Sequence, residues 1–247
     1  MIGIRGAMGA GKDTLAAEII RHFPQYGARN FAAELRAALS IITGLPAAQT
    51  VSAADKRADL SGVPVKAPVL LARVSSAVER VTQRPCGARV AGEIFRALTG
   101  TDAGLAGPEV TIPMTVGRLL QVLGTECFRA HVGADVWADA LIYAWERDGC
   151  PPVVVTDARF PNETAAIRRA GGVVVHVRRS GAGRADGREP AHASERALDS
   201  EAADFVLDND GTVEDLLGAF LAVWPAAKAM SALRAQGRPP LSARRGD

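Results

Sequence analysis

The sequence predicts an α/β fold, a mostly parallel five-stranded sheet flanked by helices, on three observations. Short apolar runs alternate with stretches whose apolar residues recur every three or four positions, the pattern of strands interleaved with covering helices. The first run passes directly into a glycine-rich turn and a helical pattern. A later run, Val153-Val154-Val155, is wholly β-branched, as in a strand buried on both faces of a parallel sheet.

Met1 to Ile4 supplies the first strand, ending at Gly6, and Leu15, Ile19, Ile20 and Phe23 mark the helix beyond the turn. Ala28 to Ala32 leads into a second helix with Leu35, Leu39 and Ile42 on one face and Gly44 as its stop. Residues 45–114 are less regular; helices are expected around Val69 to Val81 and Val90 to Leu98, between loops holding Pro64, Pro68, Pro85, Pro108 and Pro113. Next come a helix over Val116 to Leu123 that ends at Gly124, and one from Asp135 to Trp145 capped by Asp135. The β-branched strand follows, then a helix through Ala165 to Ala170 that stops at Gly171-Gly172, and a strand over Val173 to Val177. A Gly/Arg-rich loop from Ser180 to His192 precedes the last strand, Phe205 to Leu207, the turn Asn209-Asp210-Gly211 and a closing helix from Val213 to Trp224. Residues 228–247 contain Gly237, Pro239, Pro240 and Gly246 and read as a solvated, disordered tail whose deletion should leave activity intact.

Composition narrows the function classes. The net charge is +2, and only four of the 29 basic residues are Lys: Lys12, Lys56, Lys66 and Lys228. Five of the basic residues lie in the last twenty positions, so the remainder is near neutral and lacks the charge of a general nucleic-acid binder. Cys86, Cys127 and Cys150 have neither CxxC nor Cys/His ligand spacing and read as reduced thiols of a cytoplasmic protein. No apolar run approaches the eighteen residues of a membrane span and no secretion signal opens the chain, so no membrane partner is expected.

Gly6-Ala7-Met8-Gly9-Ala10-Gly11-Lys12 satisfies GxxxxGK, in which glycines let backbone N–H groups wrap a phosphate and Lys reaches the β/γ oxygens. A strand before and a helix after place that anion on the helix N-terminus. The position that normally holds Mg²⁺ with Ser or Thr is Asp13, followed by Thr14. Either Asp13 meets the metal, directly or through water, or Thr14 takes over part of the role. Asp157 closes the β-branched strand at its carboxyl end, where open α/β sheets gather ligand groups. It suits the Mg²⁺ shell, and it equally suits the N-cap of a helix starting near Pro161. Arg159 beside it offers a planar fork for a phosphate, or a surface ion pair with Glu163.

On these residues the chain resembles the bacteriophage deoxynucleoside monophosphate kinases. The matching segments are GAMGAGKDT (6–14), FAAELRAAL (31–39), GRLLQVLGTE (117–126), DVW (135–137), DARFPNE (157–163), GGVVVHVRR (171–179), HASE (192–195) and DNDGT (208–212), in the family's order; residues 45–114 match poorly. The resemblance implies a three-layer P-loop kinase-like fold. Its kinase domain would cover 1–227, with a helical acceptor insertion at about 45–114 and a lid-like loop at about 180–192. It also implies transfer of the ATP γ-phosphoryl group to a deoxynucleoside 5′-monophosphate for dNTP supply, with ATP and Mg²⁺ as cofactors and a homodimer acting on small nucleotides in the host cytoplasm.

By the same resemblance Gly9, Gly11, Lys12, Asp13, Thr14 and Arg179 would bind ATP. Asp13, Thr14 and Asp157 would surround Mg²⁺, and Lys12, Arg118 and Arg159 would act on the transferred group. Arg36, Arg118, Gln121, Gly124, Thr125, Trp137, Asp157 and Arg159 would bind the acceptor, with Trp137 stacking on the base or else packing in the core. Arg178, Arg179, Arg184 and Arg188 flank or lie in the lid-like loop, whereas His192 and Glu195 read as structural. The competing readings are another small-molecule kinase of this fold, acting on dephospho-coenzyme A or phosphomevalonate, and an ATP-binding switch module without an acceptor site. The cations Arg36, Arg118 and Arg159, beyond what ATP and its metal need, favour the enzyme.

Overall fold

The computed structural model describes residues 1–182 and 202–237. The chain divides into two compact units, Met1–Phe31 with Leu141–Asp247, and Ala32–Ala140.

The first unit carries the sheet. Strands β1 (Ile2–Arg5), β2 (Gly27–Arg29), β5 (Val153–Val155), β6 (Val173–Arg178) and β7 (Phe205–Asp208) lie in the order β2-β5-β1-β6-β7, all parallel. β1 therefore sits at the centre, with Ile2 level with Val154 on one side and Val173 on the other. Its four residues are all buried, which explains the short apolar run without alternation. Helix α1 (Lys12–His22) turns Leu15, Ala16 and Ile19 inward, and α8 (Pro161–Arg169) buries Ala166 and Ile167. The α/β class and the five parallel strands agree with the expectation.

The second unit is mostly helical: α2 (Phe31–Thr43), α3 (Ala67–Thr82), α4 (Ala88–Thr99), α5 (Val116–Gln121) and α6 (Phe128–His131) enclose a core that includes Leu39, Leu70, Val74, Phe95, Leu119 and Phe128. Helix α7 (Val136–Arg147) follows. An antiparallel ribbon of β3 (Val65–Lys66) and β4 (Glu109–Val110) also occurs here, too short for any alternation to register in sequence. The helix expected to end at Gly124 does not stop. It widens into a π-helical turn over Val122–Cys127 and resumes as α6, because Gly124 is buried against Leu35 rather than set in a left-handed C-cap.

The tail expectation needs correcting. The closing helix, α9, runs from Val213 to Gln236, through Pro225, so residues 228–236 are helix and only 238–247, with Arg238, Arg244 and Arg245, lie outside the described part. The last turns are held by specific bonds. Ser231 Oγ donates to Gly171 O at 2.6 Å, Arg234 Nη1 to Gly172 O at 2.7 Å, and the Arg234 fork meets Asp204 at 2.8 and 2.9 Å. Asp204 also accepts from Val174 N–H at 2.7 Å and Arg168 Nε at 3.3 Å. By length and composition α9 could cross a membrane, with mean hydropathy 1.5 over eighteen residues, a property that Pro225, Lys228 and Ser231 hide from a search for unbroken apolar runs. Leu216, Phe220 and Ala227 nevertheless pack in the sheet's core, and Trp224 stacks near Phe23 and Phe220 at 5.2 and 5.5 Å between ring centroids.

Burial alone would raise the Asp204 pKa, but the Arg234 bonds, the Val174 N–H and the charges of Arg168 and Arg234 outweigh it and hold the carboxyl below its ordinary value. A folded value below the unfolded one contributes stability above the ordinary Asp range, and that contribution is lost as pH falls through the folded value. Arg234→Ala should cost about 2–3 kcal/mol near neutral pH, a fall in Tm of about 4–10 °C, with the gap to the parent protein closing toward pH ~3. Thermal melts across pH check this. Deletion of 228–247 should lower Tm at least as far, because it removes the end of a held helix rather than a disordered tail.

Candidate functional site

β1 ends at Arg5 and the chain must turn at once into α1. Two glycines make the turn possible. Gly6 has φ +148°, and a Cβ there would overlap the carbonyl oxygen of Val177; Gly11 has φ +98°, and a Cβ there would overlap Asn209 Nδ2. Gly11 is the N-cap of α1 and offers no side chain, so the positive end of the helix dipole is left to an external anion. Lys12 Nζ donates to Ala7 O at 2.7 Å, which places the ammonium across the loop. Asp13 and Thr14 are exposed at the helix start, where the sequence placed them. Position 9 is open, with nothing near a Cβ.

The neighbouring strand ends supply the other groups. Asp157, two residues beyond β5, accepts from Phe31 N–H at 2.8 Å, so its capping role serves α2 and not the helix at Pro161. That helix is capped by Glu163, which is 4% exposed and accepts from Arg159 N–H at 2.7 Å and Phe160 N–H at 3.1 Å. The alternative of a surface ion pair between Arg159 and Glu163 gives way to these main-chain bonds, and the Arg159 side chain is exposed. Beyond β6, Arg179 is exposed, and Ser180 donates to Asp210 through N–H at 2.7 Å and Oγ at 2.9 Å. Those bonds, with the Arg179 charge, hold the Asp210 carboxyl below its ordinary value. Arg178 pairs with Asp208 on the adjacent strand at 2.9 Å. Arg184, Arg188, His192 and Glu195, and most of the lid-like loop, lie outside the described residues.

In the helical unit, Arg36 is half-buried on α2 and its Nε is buried without a hydrogen-bond partner, an unmet donor that suits an anionic ligand. Arg118 pairs with Glu126 at 2.7 Å across the π-helical turn, both about half exposed. Gln121 and Thr125 are exposed on the same stretch. Trp137 departs from the stacking expectation. It is 4% exposed, its ring lies 4.9 Å from Phe128, and Nε1 donates to Gly124 O at 2.9 Å. A base could reach that ring only if the Phe128 packing opened. Gly124 thus contributes its carbonyl to the core. Among the described residues no three His, Cys, Asp or Glu side chains cluster as a metal site. Mg²⁺ needs no such cage, since it takes one or two protein ligands with substrate phosphates and waters, and Asp13, Thr14 and Asp157 fit that mode.

Sequence reasoning missed Asn209. It reads as a turn residue in DNDGT, yet it is 7% exposed and its side chain donates to Ala10 O at 2.8 Å. No local spacing signals a contact 199 residues away.

The sequence-family model for deoxynucleotide monophosphate kinase matches residues 105–219. Curated relatives include the deoxynucleotide monophosphate kinases of Escherichia phage RB69, 34% identical over 105 residues, and Enterobacteria phage T4, 33% identical over 105 residues. Each alignment takes in 41% of this chain and 41–42% of the relative, so the chain spans about two fifths of the length of the relatives it matches. The phosphate loop lies outside the family-matched stretch, so its identification rests on its motif and geometry.

Trp137→Ala should cost about 3–5 kcal/mol in denaturant titrations, the expected loss for a buried aromatic. Unchanged stability with impaired turnover would instead make the ring a ligand platform.

Proposed function

We propose that the protein is a phosphotransferase that moves the ATP γ-phosphoryl group to a deoxynucleoside 5′-monophosphate, giving the diphosphate and ADP. The observation that carries this reading is the phosphate loop at the carboxyl edge of the central strand, with Lys12 already held across it. The family match over 105–219 supports the acceptor class, and the phage origin of the relatives supports dNTP supply in a host cytoplasm.

Phosphoryl transfer asks little covalent chemistry of the protein; it asks for alignment and for positive charge around a spread-out transition state. The loop N–H groups and the α1 dipole bind the donor phosphates, and Lys12 moves from Ala7 O to the transferred group. Mg²⁺, when bound, neutralises charge on the donor phosphates; Asp13, Thr14 and Asp157 are the residues that would hold it. Gly9, Gly11 and Arg179 complete the donor side. The acceptor is already an anionic oxygen, so no general base is required. Arg36, Arg118 and Arg159 bind the monophosphate, and the Arg118 bond to Glu126 is exchanged for one to phosphate. Gln121 and Thr125 read the base. The homodimer expected from the resemblance is part of the proposal and is checked by sedimentation.

Incubation with ATP, Mg²⁺ and each deoxynucleoside monophosphate in turn, following ADP, should show turnover with at least one acceptor. ADP release that no monophosphate raises above background would favour the ATP-binding switch. Lys12→Ala should lower kcat by about a hundredfold or more with Tm unchanged. Arg36→Ala should raise KM for the monophosphate by about tenfold while KM for ATP holds.

A further inference from the structure

We propose that Asn209 is a positioning residue for the donor phosphates, acting through the peptide that joins Ala10 to Gly11. The proposal rests on the nucleotide-binding reading of the phosphate loop and adds a residue that neither the motif nor the reaction chemistry assigns.

A phosphate loop works only if its N–H groups face the anion. The Ala10–Gly11 unit is a planar trans peptide, so its C=O and N–H point in opposite directions. Ala10 is fully buried, and its carbonyl is taken by Asn209 Nδ2 at 2.8 Å. Holding that oxygen inward turns the Gly11 N–H away from the core, to the side where the phosphate binds. Without the donor, the peptide before Gly11, whose φ of +98° only glycine adopts readily, loses this anchor, and a buried carbonyl is left unpaired. The amide has the right chemistry because a carbonyl needs a donor and a primary amide supplies one without charge.

Asn209 is itself fixed. Its backbone N–H donates to Arg178 O at 2.7 Å, extending the β6–β7 ladder by one bond, and the residue is 7% exposed. The next residue, Asp210, holds Ser180. One turn after β7 therefore fastens both the phosphate loop and the segment that carries Arg179. The contact with Gly11 leaves no room for a Cβ, so glycine at 11 and asparagine at 209 form a matched pair.

The test is ATP binding by calorimetry with Mg²⁺ on the full chain, for the parent protein, Asn209→Asp and Asn209→Ala, with steady-state KM for ATP and monophosphate and Tm alongside. Asn209→Asp is isosteric but at neutral pH turns an acceptor toward the Ala10 oxygen. It should weaken ATP binding by about ten- to a hundredfold, with KM for the monophosphate changing by less than about twofold. Lowering the pH from ~8 to ~5.5 should restore part of the loss relative to the parent protein, since the protonated carboxyl regains a donor. Should that variant fail to fold, Asn209→Ala carries the same binding test. Unchanged ATP affinity in the folded variants, or ATP and monophosphate parameters declining together in step with Tm, would overturn the proposal. A parent protein that binds ATP but phosphorylates no acceptor removes the kinase reading and leaves Asn209 to be judged on binding; one that binds no ATP removes both.

Discussion

All five strands of the sheet run the same way, and the organisation of the Met1–Phe31/Leu141–Asp247 unit depends on that single constraint. Parallel strands need a long return path, which is why helices separate them, and they bring every strand's carboxyl end to one edge. Gly6 to Thr14, Asp157, Arg159, Arg179 and Asn209 are distant in sequence and come from different crossovers. They share an edge because β1, β5, β6 and β7 share a direction. Placing β1 between β5 and β6 sets the Gly6–Thr14 loop at the same edge as both neighbours' ends, and the Asn209 amide reaches it there.

The second unit is built differently. It is a helical core whose helix surfaces carry cations and hydrogen-bonding groups such as Arg118, Gln121 and Thr125. The π-helical turn at Val122–Cys127 leaves Leu123 and Cys127 inside and Thr125 and Glu126 outside. The inserted residue changes which side chains face out along one continuous helix, a displacement that helical periodicity counted from Val116 does not follow. Burial of Cys127, with the nearby Glu126 charge, pushes its thiol up to about 12, so it stays protonated and behaves as core.

The elements legible in the sequence were those with a local physical signature. β1, the phosphate loop and β5 were readable because a buried parallel strand and a glycine turn each need particular residue types in a short window. Gly44, at φ +80°, ends α2 where a left-handed C-cap was expected. The failures share a cause: they depend on partners far along the chain. Pro225 and the alanines after it look like a frayed end until Ser231 and Arg234 meet Gly171, Gly172 and Asp204. Asp157 is legible as a carboxylate at a strand end, but that it caps α2 depends on β2 lying beside β5. Trp137 looks alike from sequence whether it faces a base or Phe128, since both want a large aromatic surface.

The bond between Ala10 and Asn209 also has a meaning for the order in which the protein is made. The Gly6–Thr14 loop is synthesised well before Val153–Val155 and Val173–Arg178, the strands that flank β1. Its restraint at Asn209 comes later still, 199 residues after Ala10. The nascent chain must therefore carry an apolar strand and a glycine turn unpaired until those segments follow, the situation in which non-local β pairing is slow and exposed. The geometry of the loop is then a property of the folded unit rather than of the segment that bears its motif.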